Sequence, residues 1–196
     1  MEYLIFAIAG YLLGSVSSAV LVSRAMQLPD PRSEGSGNPG ATNVLRLGNK
    51  VAAGLTLAGD ILKGVLPVLV ARWLSEDPLT VALAGASAFV GHLLPLFFGF
   101  KGGKGVATAL GVFAAVSLPV AGGLALTWMV TALVFRYSSL AALVSAVSAP
   151  VWSWWLLADP VYTGLATVLG LILLLRHWGN IHRLLSGTES KIGSKR

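Results

Sequence analysis

The sequence contains no cysteine and few charged residues. None of the 196 residues is Cys, and Asp, Glu, Lys and Arg together make up 11% of the chain. The absence of cysteine excludes disulfides, zinc–thiolate and iron–sulfur sites, and a thioester intermediate on the protein. Soluble domains carry about 25% charged residues, so this scarcity excludes a disordered chain and an ordinary soluble globule.

Hydrophobic residues take the place of the missing charges. They make up 55% of the chain, and the mean hydropathy is +0.77. A soluble domain of this size has too little interior for so much apolar surface, whereas a bilayer holds it in helices of about 20 residues. We therefore predict an all-α integral membrane protein, with residues 1–196 as a single polytopic membrane domain.

Seven apolar segments are predicted to be transmembrane helices. The fourth and fifth are short and meet at Pro119, so they form either one bent hairpin or a tilted pair. The segments are Tyr3–Val22, Val51–Leu74, Leu79–Phe98, Gly105–Leu118, Val120–Phe135, Ala141–Leu157 and Val161–Leu175.

Basic residues collect on one side when the N-terminus is placed outside. The outer loops then hold Arg72 alone, and the positive-inside rule predicts an outer N-terminus and a cytoplasmic C-terminus. The predicted cytoplasmic parts are loops 25–50, 99–105 and 136–140 and the C-terminal segment 176–196. We ascribe the net charge of +6 to this face beside anionic lipid rather than to nucleic acid. The inner basic residues are Arg24, Arg32, Arg46, Lys50, Lys101, Lys104, Arg136, Arg176, Arg183, Lys191, Lys195 and Arg196.

A glycine-rich loop at residues 33–46 is the first candidate site. Its glycines let backbone N–H groups approach an anion, and its polar side chains add further donors. Residues 35–40 match G-x-G-x-x-G, but no strand precedes them, so we reject a dinucleotide site. A flexible Gly/Ser loop is the alternative. The residues concerned are Gly35, Ser36, Gly37, Asn38, Gly40, Thr42, Asn43 and Arg46.

A second glycine-rich loop precedes the fourth apolar segment. Gly102, Gly103 and Gly105 surround Lys104, and a predicted helix begins directly after them. Such a loop at a helix N-terminus is suited to bind an anion. It is not a Walker A loop, because Gly105 stands where Ser or Thr would follow the lysine. An interfacial loop with snorkelling lysines is the alternative.

Further polar residues lie near the last two segments. The spacing of His177, Asn180 and Arg183 places them on one helical face. His177 is a general base, a phosphate ligand or an interfacial residue, and these alternatives stay open. Ser139 either caps the sixth segment or lines the pocket.

Three ionisable residues lie inside predicted spans. Asp60 and Lys63 are three residues apart, so we expect them to pair and face the bundle interior. His92 is expected to be a core histidine bonded to backbone. The acids are few and scattered, so neither a metal site nor a cofactor is predicted.

Three motifs in this chain resemble the signatures of the bacterial acyl-phosphate:glycerol-3-phosphate acyltransferases, the PlsY family. They are Ser36–Asn43 with Arg46, Gly91-His-x-x-Pro95 leading to Phe100–Thr108, and His177-x-x-Asn-Ile-x-Arg183 with Glu189. The resemblance implies acyl transfer from acyl phosphate to the sn-1 hydroxyl of glycerol 3-phosphate, giving lysophosphatidic acid and phosphate. It also implies a bacterial inner membrane location with the active site facing the cytoplasm.

The resemblance also implies roles for individual residues. Loop Ser36–Asn43 is expected to bind the acyl phosphate, and the base is either His177 or the substrate's own phosphate. Glu189 is expected to fix the C-terminal segment, and Asp60 and Lys63 to be structural. The expected ligands of glycerol 3-phosphate are Arg46, Gly102, Gly103, Lys104, Gly105, Ser139, His177 and Asn180, and the expected catalytic residues are Ser36, Arg46, Lys104, His177 and Asn180.

Two other classes of function compete with an acyltransferase. A transporter for small anions or phosphate esters shares the apolar bundle and the Asp60–Lys63 pair, but its polar residues would lie at the midplane and on both sides. A non-catalytic scaffold leaves the phosphate-type loops unexplained. The partners we expect are the two substrates and the lipid bilayer, without nucleic acid or an obligatory protein partner.

Overall fold

The computed structural model describes residues 1–193, and regular structure within them is helical throughout. This confirms the all-helical class; Lys195 and Arg196 lie outside the described residues. The helices are α1 Glu2–Gly14, α2 Ser18–Ala25, α3 Ala41–Arg46, α4 Lys50–Leu74, α5 Pro78–Leu93, α6 Val106–Val116, α7 Leu118–Phe135, α8 Ser138–Leu157, α9 Pro160–Arg176 and α10 Trp178–Leu185, with a 3-10 turn at Leu96–Phe98.

The helices form two compact units, Met1–Val116 and the part that begins at Ser117. Within the described residues, five helical segments are long and apolar enough to cross a membrane, or six if the bent pair α9–α10 is one span. The seven crossings, their orientation and the single domain stay predictions.

The first predicted span is broken rather than continuous. Helix α1 ends at Gly14 and α2 begins at Ser18, where the sequence predicts one helix over Tyr3–Val22. The Ser15 hydroxyl donates to the Tyr11 carbonyl at 2.8 Å, and the Val16 carbonyl accepts from Lys63 Nζ at 2.9 Å. A break in an apolar helix is tolerated when its backbone groups find such partners.

Small residues bring α1 and α5 into close contact. A Cβ at Gly10 or at Gly14 would collide with the backbone of Ala84 or of Ala88, respectively. Close backbone approach of this kind is typical of helix pairs in membranes, where dispersion contacts rather than the hydrophobic effect stabilise the pair.

Helix α6 is shorter than a membrane span. The sequence predicts a segment over 105–118, but the helix has 11 residues, about 16 Å, against the ~30 Å hydrocarbon core. It runs parallel to the second half of α4. Gly64 packs on Thr108, and Arg72 donates to the carbonyl oxygens of Ala115 and Val116. The chain that precedes α6 therefore lies level with the middle of α4.

In the second unit, α8 packs against both α7 and α9. Trp152 Nε1 donates to Thr127 Oγ1 at 3.1 Å, which joins α7 to α8. The Asp159 carboxylate caps α9 by accepting from the backbone N–H groups of Val161 and Tyr162. Helix α9 then bends by 60° into α10.

Candidate functional site

The first glycine-rich loop is closed by the side chain of Asn43. This side chain is 1% exposed, and its Nδ2 donates to the carbonyl oxygens of Pro31 and Glu34 at 2.8 and 3.0 Å. Its Oδ1 accepts from the backbone N–H of Ser36 at 2.8 Å. Both amide hydrogens are thus used inside the loop, so Asn43 fixes the loop and has no hydrogen left for a substrate oxygen.

The backbone N–H groups of this loop also have acceptors. Besides the Ser36 amide, the Gly37 amide donates to the Glu34 carbonyl at 3.0 Å and the Gly40 amide to the Asn38 carbonyl at 2.9 Å. The nest of unpaired amides expected from the glycines is therefore not formed at these positions, because the loop folds back on itself. Ser36, Thr42 and Arg46 are exposed, so their side chains lie at the surface of the loop.

Arg32 joins the chain just before the first glycine-rich loop to the 3-10 turn just before the second. Its Nη2 lies 2.7 Å from Asp30 Oδ2, and its Nη1 donates to the Phe98 carbonyl at 3.3 Å. Hydrogen bonding from this guanidinium lowers the pKa of Asp30 below its usual range. The sequence interpretation treated Arg32 only as a topology-setting charge, because nothing local in the sequence shows that it reaches residues 66 positions away.

The second loop lies flat on the end of α5. The Gly103 amide donates to the His92 carbonyl at 3.2 Å, and a Cβ at Gly103 would collide with His92 Nε2. Gly105 has φ of +88°, and a Cβ there would collide with the Phe89 ring. Lys104 stands between these two contacts and is half-buried. Both glycines are therefore needed for the position of Lys104.

Asp60, Lys63 and His92 form one buried cluster. Lys63 Nζ lies 2.9 Å from Asp60 Oδ1, which confirms the pair predicted from the i, i+3 spacing. His92 Nδ1 lies 3.5 Å from the same oxygen, and all three residues are at most 7% exposed. His92 is buried as expected, but sequence reasoning missed its place beside Asp60. The available signal was a second ionisable residue within an adjacent apolar segment.

In the second unit, Glu189 gathers three of the polar side chains singled out from the sequence. Its Oε1 accepts from Ser139 Oγ and Asn180 Nδ2, both at 2.7 Å, and its Oε2 accepts from Arg183 Nε at 2.7 Å. Burial acts to raise the pKa of Glu189, but these hydrogen bonds outweigh burial and lower it below its ordinary value.

The hydroxyl of Ser139 is committed to this carboxylate. A hydroxyl has one hydrogen, and that of Ser139 is donated to Glu189 across 50 residues of sequence. Its hydrogen is therefore not available to a phosphate oxygen in this arrangement, whereas its oxygen lone pairs can still accept from a hydroxyl group, so Ser139 stays a predicted ligand of glycerol 3-phosphate. It supports Glu189, which in turn holds Asn180.

His177 lies at the bend between α9 and α10. Its ring is 3% exposed, and its Nδ1 lies 2.8 Å from the Leu173 carbonyl oxygen. A carbonyl only accepts, so Nδ1 carries the hydrogen, and the lone pair of the neutral ring is on Nε2. This tautomer is the one required of a histidine that accepts a proton at Nε2.

No group of three or more His, Asp or Glu residues that could hold a metal ion occurs within residues 1–193.

Comparison with known proteins identifies relatives over nearly the whole chain. Residues 4–187 match the family model described as glycerol-3-phosphate acyltransferase. A glycerol-3-phosphate acyltransferase of Halorhodospira halophila is 55% identical over 190 residues, which are 97% of this chain and 96% of that protein. One of Methylococcus capsulatus is 55% identical over 196 residues, which are 100% of this chain and 98% of that protein.

Two solved structures are similar to the present fold. Both are crystal structures of PlsY (YgiH), described as an integral membrane glycerol 3-phosphate acyltransferase. The glycerol 3-phosphate form has a TM-score of 0.93 at 40% identity, and the lysophosphatidic acid form has a TM-score of 0.91 at 39% identity. Each match covers 98% of this chain and 96% of the solved chain.

Proposed function

This chain belongs to the glycerol-3-phosphate acyltransferase family, and on that premise we propose that it acylates the sn-1 hydroxyl of glycerol 3-phosphate with acyl phosphate as the donor. The products are lysophosphatidic acid and inorganic phosphate, an early step in phospholipid synthesis. The observation that carries the proposal is the family match over residues 4–187, supported by relatives crystallised in glycerol 3-phosphate and lysophosphatidic acid forms.

The choice of acyl phosphate as donor rests on the motif resemblance and on chemistry. An acyl phosphate is a mixed anhydride whose leaving group is phosphate, so the enzyme mainly positions the two substrates and stabilises developing charge. With no cysteine in the chain, transfer through a thioester on the protein is excluded. The hydroxyl oxygen of glycerol 3-phosphate attacks the acyl carbon directly, and the C–O bond to phosphate breaks as the ester forms.

The exposed side chains of the first loop are the proposed contacts to the acyl phosphate. Ser36 donates to the oxyanion that develops on the acyl carbonyl, and the loss of one such donor typically lowers kcat about 100- to 1,000-fold. Gly37, Asn38, Gly40 and Thr42 shape the loop around the phosphoryl group. Asn43 is reassigned from ligand to positioning residue, because its amide already closes the loop.

Cations and polar side chains are the proposed ligands of glycerol 3-phosphate. Arg46 and Lys104 bind its phosphate as charge-assisted donors, and Gly102, Gly103 and Gly105 fix the position of Lys104. Asn180, oriented by Glu189, binds beside His177. The base that removes the hydroxyl proton is either His177 at Nε2 or the phosphate of the substrate.

We also propose a location in the bacterial inner membrane with a cytoplasmic active site and seven crossings. Helix α6 ends beside Arg72 in the last turn of α4, so residues 99–105 and α6 together complete the crossing that α6 alone is too short to make. Because the chain has no cysteine, Glu76→Cys and Lys101→Cys are clean topology probes. In sealed, right-side-out vesicles, an impermeant maleimide should label only the first variant; labelling of the second would contradict this orientation.

The assay that tests the activity uses purified protein in detergent or lipid. Glycerol 3-phosphate is mixed with palmitoyl phosphate in the absence of divalent metal, and both phosphate release and lysophosphatidic acid are measured. Palmitoyl-CoA serves as the parallel donor. Turnover with palmitoyl phosphate alone is expected; turnover only with palmitoyl-CoA contradicts the donor, and no turnover by folded protein contradicts the activity.

A further inference from the structure

The buried Asp60–Lys63–His92 cluster adjoins the loop that carries Lys104. It is tied at its far end to the break between α1 and α2, because Lys63 Nζ donates to the Val16 carbonyl at 2.9 Å as well as pairing with Asp60. At its near end, His92 Nδ1 lies 3.5 Å from Asp60 Oδ1. The carboxylate therefore lies between a lysine on its own helix and a histidine on α5.

The other edge of the His92 ring supports the second glycine-rich loop. A Cβ at Gly103 would collide with Nε2 and Cε1 of this ring, and one at Gly102 would collide with the His92 and Leu93 carbonyl oxygens. Both glycines thus lie directly on residue 92. The Gly103 amide also donates to the His92 carbonyl at 3.2 Å, so the backbone of the loop is bonded to the same residue.

Lys104 follows directly and is fixed from both sides. On one side Gly103 rests on His92, and on the other Gly105 rests on Phe89, which is one turn earlier in α5 and fully buried. A tilt of the His92 ring would move Gly103 and with it the start of the Lys104 side chain. Protein interiors are close-packed, so such a displacement is transmitted rather than absorbed.

We propose that Asp60 and His92 are positioning residues for Lys104, which they hold where its ammonium group meets the phosphate of glycerol 3-phosphate. This inference rests on the proposed function, since it takes Lys104 as a ligand of that phosphate. His92 acts through the loop rather than on substrate, because its ring is buried and its Nε2 edge is covered by Gly103.

Two variants disturb the cluster without touching Lys104. His92→Ala removes the support beneath Gly103, and His92→Asn keeps an amide donor near Asp60 while leaving part of that support empty. A misplacement of a catalytic group by about 1 Å can lower a reaction rate about 100-fold. We expect an effect of similar size on the binding of glycerol 3-phosphate, about 10- to 100-fold weaker in His92→Ala and less in His92→Asn. The KM for palmitoyl phosphate should change less than about twofold.

The double variant Asp60→Asn/Lys63→Met separates positioning from stability. It removes both buried charges together, so we expect the fold to be retained despite the loss of the Lys63 hydrogen bond to the Val16 carbonyl, while His92 loses its carboxylate neighbour. Tyr11→Phe is the matched control, since it removes the 2.9 Å hydrogen bond from Tyr11 to the Leu94 carbonyl at the same end of α5. We expect the double variant to bind glycerol 3-phosphate at least several-fold more weakly and the control to match the wild type within about twofold.

A double-mutant cycle with Lys104→Ala tests the route through Lys104. If His92 acts only by placing Lys104, then His92→Ala should change binding less than about twofold in a Lys104→Ala background. The measured quantity is the Kd for glycerol 3-phosphate alone, by calorimetry on folded, monodisperse protein, together with the KM for each substrate. A structural role would lower the melting temperature and impair the use of both substrates alike.

Several outcomes overturn the inference. One is that glycerol 3-phosphate binding is unchanged in the His92 variants and in the double variant. Another is that the KM values for both substrates rise equally. The third is that the effects of His92→Ala and Lys104→Ala on the binding free energy are fully additive. A folded wild type that binds no glycerol 3-phosphate overturns it together with the proposed substrate. A wild type that binds glycerol 3-phosphate but transfers no acyl group contradicts the proposed activity and leaves the positioning result standing.

Discussion

Within residues 1–193, each of the two units buries one carboxylate, and the two carboxylates are stabilised by different kinds of partner. Asp60 lies within a transmembrane helix beside two basic side chains, Lys63 and His92. Glu189 lies in the C-terminal segment and accepts from the neutral groups of Ser139 and Asn180 and from Arg183, whose side chain is 46% exposed.

The difference follows from how much water each carboxylate can reach. Inside an apolar bundle a single charge is very costly, so Asp60 is matched by a cation of similar burial. Near the end of a bundle, several hydrogen bonds suffice, and the matching cation stays partly in water. We therefore expect the stability of the Asp60 site to depend mainly on one cation, Lys63, and that of the Glu189 site to be divided among three donors.

The largest effect is expected when the buried cation is removed. Lys63→Met leaves Asp60 with an uncompensated charge and the Val16 carbonyl without its donor, which should lower the free energy of unfolding by about 3–5 kcal/mol. Unfolding by a denaturing detergent measures the change. Addition of Asp60→Asn should recover most of the loss; a double variant as unstable as the single one would show that the pair is not the cause.

Neutralising the second carboxylate should cost less. Glu189→Gln keeps the shape but turns a charge-assisted acceptor into an amide, whose NH2 group must face at least one donor. Hydrogen bonds to charged groups contribute about 1.5–3 kcal/mol, so we expect a loss in that range, measured by the same unfolding assay. The KM for glycerol 3-phosphate should rise as well, because Asn180 loses its orientation; a loss as large as that of Lys63→Met would remove the contrast between the two units.

Acid should destabilise the wild type through Glu189. The folded-state pKa of this group lies below its ordinary value of 4.5, so its stabilisation is fully present above that value and is lost as the pH falls through the lower, folded-state pKa. As the pH is lowered from about 6 to about 3, the melting temperature should fall more steeply in the wild type than in Glu189→Gln. Parallel curves would show that Glu189 is not the titrating group.

The smallest effect is expected at the exposed partner. Arg183→Ala removes one of the three donors to Glu189, but its side chain is 46% exposed, and exposed ion pairs contribute about 0–1 kcal/mol. Thermal unfolding at low and high salt measures the change, which should shrink as salt rises. A loss above about 2 kcal/mol would place Arg183 among the buried partners instead.

Sequence reasoning succeeded where the interacting residues are close along the chain. Asp60 and Lys63 are three residues apart, and a helix brings such residues together whatever the rest of the fold does. Helical class and most helix bounds followed from hydropathy for the same reason. The break at Ser15–Ser17 was missed because the polar stretch is only a few residues long. The mean hydropathy of the surrounding segment stays high across it.

Sequence reasoning did not foresee contacts between residues that are distant in sequence. His92 meets Asp60 only through the packing of α5 on α4, and Ser139 meets Glu189 across 50 residues. The hydrogen bonds of the Asn43 side chain within its own loop were not foreseen either. Its residue type is right for a ligand, but whether an amide serves a substrate or its own loop depends on backbone positions that only the fold specifies.

The shortness of α6 determines where the two proposed substrates would meet. The loop carrying Lys104 lies level with the middle of α4, about 15 Å along the helix from Lys50, so its glycines and lysine lie beside an apolar segment rather than beyond its end. If Lys104 binds glycerol 3-phosphate as proposed, this water-soluble ester would meet the acyl donor at that depth, and the fatty chain would not need to leave the lipid. Drawing that chain outward instead would expose methylenes to water at about 0.8 kcal/mol each.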